Sequence, residues 1–90
     1  MSNARILVVD DEADIRELVQ EILSEEGYVV DVAANAAEAR AACARQMPDL
    51  VLLDIWMPDT DGISLLREWQ QSQTITAPVV MMSGHGTVET

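Results

Sequence analysis

Lysine and phenylalanine are absent from this 90-residue chain, and cysteine, proline and glycine number only one, three and four. Without lysine, five arginines face sixteen acidic residues, for a formal charge of −11. Such a charge repels phosphate backbones and anionic lipid heads wherever salt leaves it unscreened, so direct nucleic-acid binding and membrane-surface binding are not expected. No apolar run exceeds six residues, far short of the ~20 that a membrane helix needs. The start, Met1-Ser2-Asn3-Ala4, lacks the charged and apolar regions of a signal peptide, and a cytoplasmic location is expected. A lone cysteine, Cys43, cannot close an internal disulfide. The chain is also too short for more than one modest core, so residues 1–90 read as a single domain.

What is present is ordered. Apolar residues make up 49% of the chain and are gathered into blocks, which argues against disorder. Residues 6–9, 50–55 with only Asp54 interrupting, and 79–82 form runs that are apolar on both faces, the pattern of buried strands in a parallel sheet. Residues 29–32 form a weaker run interrupted by Asp31, suited to a sheet edge. Between them, Ile15, Leu18, Val19, Ile22 and Leu23 recur at the spacing that makes one apolar stripe on a helix. Glu12 and Asp14 favour the positive end of that helix, and Gly27 sits where a left-handed cap is needed. A second helix is expected from Asn35, with Glu38 three residues on completing a capping box and Pro48 ending it. Its inner face is read as Ala39, Ala42, Cys43 and Met47. A third follows Asp61-Gly62 and turns Ile63, Leu66 and Trp69 inward, with Leu65 flanking.

Strand and helix therefore alternate, and connections this short allow only right-handed crossovers. The expected architecture is a doubly wound α/β parallel sheet of order 2-1-3-4. A fourth helix begins at Thr87 and has only four residues, too few to hold a helix. The last strand is then expected to be a bare edge, and the fragment to associate with itself through that edge.

In such sheets ligands bind beyond the carboxyl ends of the strands, where the winding reverses. The first strand delivers Asp10 and Asp11 there, the third Asp54 and the fourth Ser83. Two unit charges ~4 Å apart repel by about 4 kcal/mol at an effective dielectric near 20. Three carboxylates in one cleft thus call for a cation, and an all-oxygen donor set suits Mg²⁺. Beside a metal, Asp54 can act as a nucleophile toward phosphorus, its strand-end position being expected to expose its oxygens. The plainer readings are that Asp10, Asp11 and Glu12 cap the first helix, that Asp54 forms a turn and that Ser83 starts a loop. His85, between two glycines, reads as a solvated loop residue, and Cys43 and Trp69 as core.

Three motifs in order, Val8-Val9-Asp10-Asp11-Glu12, then Leu53-Asp54-Ile55-Trp56-Met57-Pro58 with Asp61-Gly62, then Met82-Ser83-Gly84, resemble the receiver domain of two-component response regulators. The runs Asp54 to Pro58 and Ser83 to Thr90 further resemble nitrogen regulators of the NtrX type. The resemblance implies a flavodoxin-like receiver fold that stops here before its fifth strand and last helices. It implies that Asp54 accepts a phosphoryl group from a sensor histidine kinase. Asp11 would ligate Mg²⁺ with Asp54, Asp10 would hold it mainly through water, and the backbone carbonyl of Trp56 would complete the protein ligands. Ser83 would be the switch hydroxyl. The family's Lys on a fifth strand has no counterpart in this sequence. The implied role is a switch that controls a transcription-regulating output module, rather than a turnover enzyme. The rivals are a phosphorylation-silent interaction module and an aspartyl-phosphate hydrolase. The second is disfavoured because Trp56 stands where such enzymes carry a second carboxylate.

Overall fold

The computed structural model describes residues 4–54, 62–72 and 76–82. Four strands, β1 (Arg5–Val9), β2 (Val29–Ala33), β3 (Leu50–Asp54) and β4 (Val79–Met82), alternate with three helices, α1 (Ala13–Glu25), α2 (Ala36–Arg45) and α3 (Gly62–Ser72). All strand pairs are parallel and the order is β2-β1-β3-β4, as the sequence implies. β1 is central and apolar on both faces: Leu7 and Val9 point to one side, Ile6 and Val8 to the other, and all four are buried.

The Leu7 and Val9 side holds the main core. Val51 and Leu53 of β3 join it, and α2 and α3 cover it. From α2 come Ala36, Ala39, Ala42 and Cys43, small enough to let the helix lie close to the sheet. Burial pushes the Cys43 thiol above its usual pKa, which fits a packing residue. α3 contributes Leu65 and Trp69 most deeply and Leu66 only in part. The expected inward order is thus revised, with Leu65 central rather than flanking; the side chain of Ile63 lies outside the description. Met47, expected on the inner face of α2, is 42% exposed because the helix has already ended at Arg45. An exposed two-toothed ion pair ties α2 to α3, with Arg40 Nε donating to Glu68 Oε2 at 2.8 Å and Nη2 to Oε1 at 2.7 Å. It holds the Glu68 carboxyl below its usual pKa, yet exposed pairs add little to stability.

The opposite side of the sheet is less complete. Val32, Val8, Leu52 and Val80 stand in one row across the four strands. α1 lies over β1 and β2, so Val8 is fully buried while exposure rises to 48% at Val80. The stripe on α1 expected to face inward is correspondingly only half covered: Leu18 and Ile22 are more than half exposed, and no residue of the helix is fully buried. The periodicity correctly identified the helix, but it could not show how much sheet lies beneath it.

The caps follow the residues. Gly27 takes φ +95°, the left-handed conformation expected of it, and its N–H donates to the Ser24 carbonyl. At α2, Asn35 Oδ1 accepts from the Glu38 N–H at 2.9 Å, and Glu38 Oε1 reaches back to the Ala34 N–H at 2.8 Å, one residue before the expected partner. Asn35→Ala should cost about 1 kcal/mol in urea unfolding, and Asn35→Ser much less, because serine restores the lost acceptor.

Candidate functional site

The register of the two central strands builds the site. Val9 lies beside Leu53, so the next residues along, Asp10 just past β1 and Asp54 at the end of β3, come to the same level on neighbouring strands. The Asp10 N–H donates to the Ala33 carbonyl at 3.0 Å, prolonging the β1–β2 ladder by one bond beyond β1. The chain then turns into α1. Asp10 Oδ1 accepts from the Glu12 N–H at 2.9 Å, and the Asp10 carbonyl accepts from Arg16 Nη1 at 2.7 Å.

Carboxylate oxygens of Asp10, Asp11 and Asp54 lie within 4.8 Å of one another. Asp10 and Asp54 are fully buried, and Asp11 is half-buried. Asp10 Oδ2 and Asp11 Oδ1 are shielded from solvent and have no hydrogen-bond partner. Buried carboxylate oxygens in that condition are costly, and more so when three acidic groups converge. Burial above all raises the Asp10 pKa; the Asp54, Asp11 and Glu12 charges add to it, and the Glu12 N–H opposes it. A hard divalent cation would satisfy both the spare oxygens and the excess charge, and an oxygen-only donor set close enough to share one ion fits Mg²⁺.

Two expectations change here. Asp54 is not exposed at its strand end: β4 pairs alongside it at Met82, Asp10 stands on the other side, and the residue is completely enclosed. The capping reading of the acidic triplet is displaced in part, since Asp10 satisfies the Glu12 N–H yet keeps a second oxygen turned into the cluster. Ser83 and the Trp56 carbonyl, the other expected site groups, lie outside the described residues, as does His85.

Sequence reading missed Arg16. Its signal was available, because helical side chains lean toward the helix N-terminus. The fourth residue of a helix that follows a strand can therefore reach back to the strand end.

A parallel sheet wound in this order, with an acidic trio at the carboxyl ends of its central strands, has the architecture of flavodoxin-like receiver structures. The family described as "Response regulator receiver domain" matches residues 6–90. This chain belongs to that family. It is 46% identical over 87 residues to the nitrogen assimilation regulatory protein NtrX of Azorhizobium caulinodans, covering 94% of this chain and 19% of that protein. The crystal structure of NtrX from Brucella abortus superposes with a TM-score of 0.84 at 49% identity, over 94% of this chain and 19% of that one. The N-terminal domain of a response regulator receiver protein from Methanoculleus marisnigri gives 0.88 at 33% identity, over 97% of this chain and 72% of that one. The chain thus spans about a fifth of the length of the NtrX relatives it matches. No described helix is long and apolar enough to cross a membrane.

Proposed function

We propose that this domain accepts a phosphoryl group on Asp54 from the phosphohistidine of a sensor histidine kinase, and that the modification switches a transcription-regulating output module. The observation that carries the proposal is the trio Asp10, Asp11 and Asp54, gathered within 4.8 Å with buried oxygens lacking partners on two of its members. Asp10, Asp11 and Asp54 would hold Mg²⁺, with the Trp56 carbonyl as a further donor. Bound there, the ion lowers the repulsion between the carboxylate and the incoming phosphoryl oxygens.

The remaining work belongs to the chain. An Asp54 oxygen forms the new bond to phosphorus as the bond from phosphorus to the donor imidazole nitrogen breaks, and that imidazole leaves with its electron pair and takes up a proton. Asp10, anchored by the Ala33 carbonyl and the Glu12 N–H, holds its second oxygen beside the acceptor. Asp54 is fully buried, which keeps bulk water from the acceptor oxygen. Ser83, which follows Met82 in the sequence, would meet the new oxygens with its hydroxyl. The output is assigned from the regulators that this chain resembles.

Incubation with acetyl phosphate and Mg²⁺ should add a single phosphoryl group, read by intact mass, and chelation should prevent it. An unmodified protein under saturating donor and metal would favour a silent interaction module. Sustained release of inorganic phosphate over many turnovers would favour a hydrolase.

A further inference from the structure

We infer that Arg16 is a positioning residue for the cation site, acting through the backbone of the turn that carries Asp10 and Asp11; this inference rests on the Mg²⁺ reading above. Asp11 is the member of the trio with the least support. Its Oδ1 is buried without a hydrogen-bond partner, so the path of residues 10–12 determines where that carboxylate points. Among the bonds that restrain this path are Asp10 N–H to the Ala33 carbonyl, Glu12 N–H to Asp10 Oδ1, and Arg16 Nη1 to the Asp10 carbonyl.

The bond from Arg16 Nη1 differs in kind. It grips the carbonyl of the peptide that joins Asp10 to Asp11, and therefore restrains the plane from which the Asp11 side chain departs. At 2.7 Å it is a short bond from a charged donor, of the stronger class. The helical bond from the Arg16 N–H to the Glu12 carbonyl, at 3.0 Å, fixes the base of the same side chain, so Arg16 spans the turn from both ends.

The contact goes to a backbone oxygen, leaving Asp10 Oδ2 and Asp11 Oδ1 available to a metal. Arg16 thus places a positive charge near an acidic cleft without occupying the oxygens a cation needs. Its contribution is geometric order, secured before the ion arrives, and loss of that order should weaken binding even though loss of a positive charge alone would strengthen it.

The sign of the effect therefore separates the two roles. Magnesium titrated calorimetrically into the wild-type protein, Arg16→Met and Arg16→Lys should show at least fivefold weaker binding for Met. Most of the affinity should return with Lys, which keeps a charged donor on a flexible stem. Circular dichroism before each titration confirms that the variant is folded. Unchanged or tighter binding by Arg16→Met, beside normal binding by the wild type, overturns the inference and leaves the Mg²⁺ reading intact. Absence of binding by the wild type overturns both. Should Arg16→Met not fold, Arg16→Lys and Arg16→Gln decide the matter, with binding as tight by Gln as by Lys counting against a charged donor.

Discussion

Asp54→Asn should take no phosphoryl group from acetyl phosphate under conditions that label the wild type fully, a loss of at least a hundredfold in rate. The substitution keeps size and shape at a completely enclosed position between β1 and β4, so the fold should survive. What disappears is the anionic oxygen: an amide oxygen is a far weaker nucleophile toward phosphorus, and the acyl phosphate has no counterpart in an amide. The variant also carries two carboxylates in the cleft instead of three, which removes repulsion. Its urea midpoint without metal should therefore match or exceed that of the wild type. A labelled Asp54→Asn protein would move the acceptor to Asp10 or Asp11, and peptide mapping would show which.

The second large effect concerns Asp10 and acidity. The folded protein holds this carboxyl above its ordinary value of 3.8, chiefly through burial. A raised carboxyl pKa means that the ionised form is disfavoured by folding. The associated stability is fully present below 3.8 and is lost as pH rises through the folded value. Above the folded value and without divalent ions the penalty stands in full, so Asp10→Asn should there be more stable than the wild type by about 1–3 kcal/mol, the usual scale for a buried group lacking its partner. Asn keeps the oxygen that accepts from Glu12 and places an NH₂ where the unpartnered Asp10 oxygen faces its acidic neighbours. The gap should close as pH falls through the elevated pKa, and millimolar Mg²⁺ should reverse it by stabilising only the wild type. Paired urea titrations at several pH values, with and without metal, measure all three. A gap of opposite sign at neutral pH without metal would show that Asp10 is satisfied without an ion.

Much of this was legible in the residues because the governing signals are local. Runs apolar on both faces fixed the strands, and two conflicting demands on Asp10, Asp11 and Asp54, their expected convergence and their mutual repulsion, pointed to a cation. What escaped sequence reading depends on neighbours that no local pattern encodes. Leu18 and Ile22 satisfy helical spacing perfectly well, yet their exposure depends on whether sheet or another element lies opposite. Leu65 and Leu66 are adjacent on one helix, and a rotation of a few tens of degrees decides which is buried. The enclosure of Asp54 likewise depends on what packs around its strand end, and the contact of Arg16 with Asp10 on the angle at which α1 leaves the strand.

The thin anchoring of α1 bears on how an enclosed acceptor is reached. An element with no fully buried side chain separates from its neighbours at lower free energy than the core strands do. Opening of α1 away from the sheet would draw Glu12 and Arg16 with it and slacken the turn at Asp10 and Asp11, while Asp54 is held within β3. Two of the three carboxylates thus sit on a turn tied to a helix without a fully buried residue, and admission of a donor would follow the fluctuations of that helix.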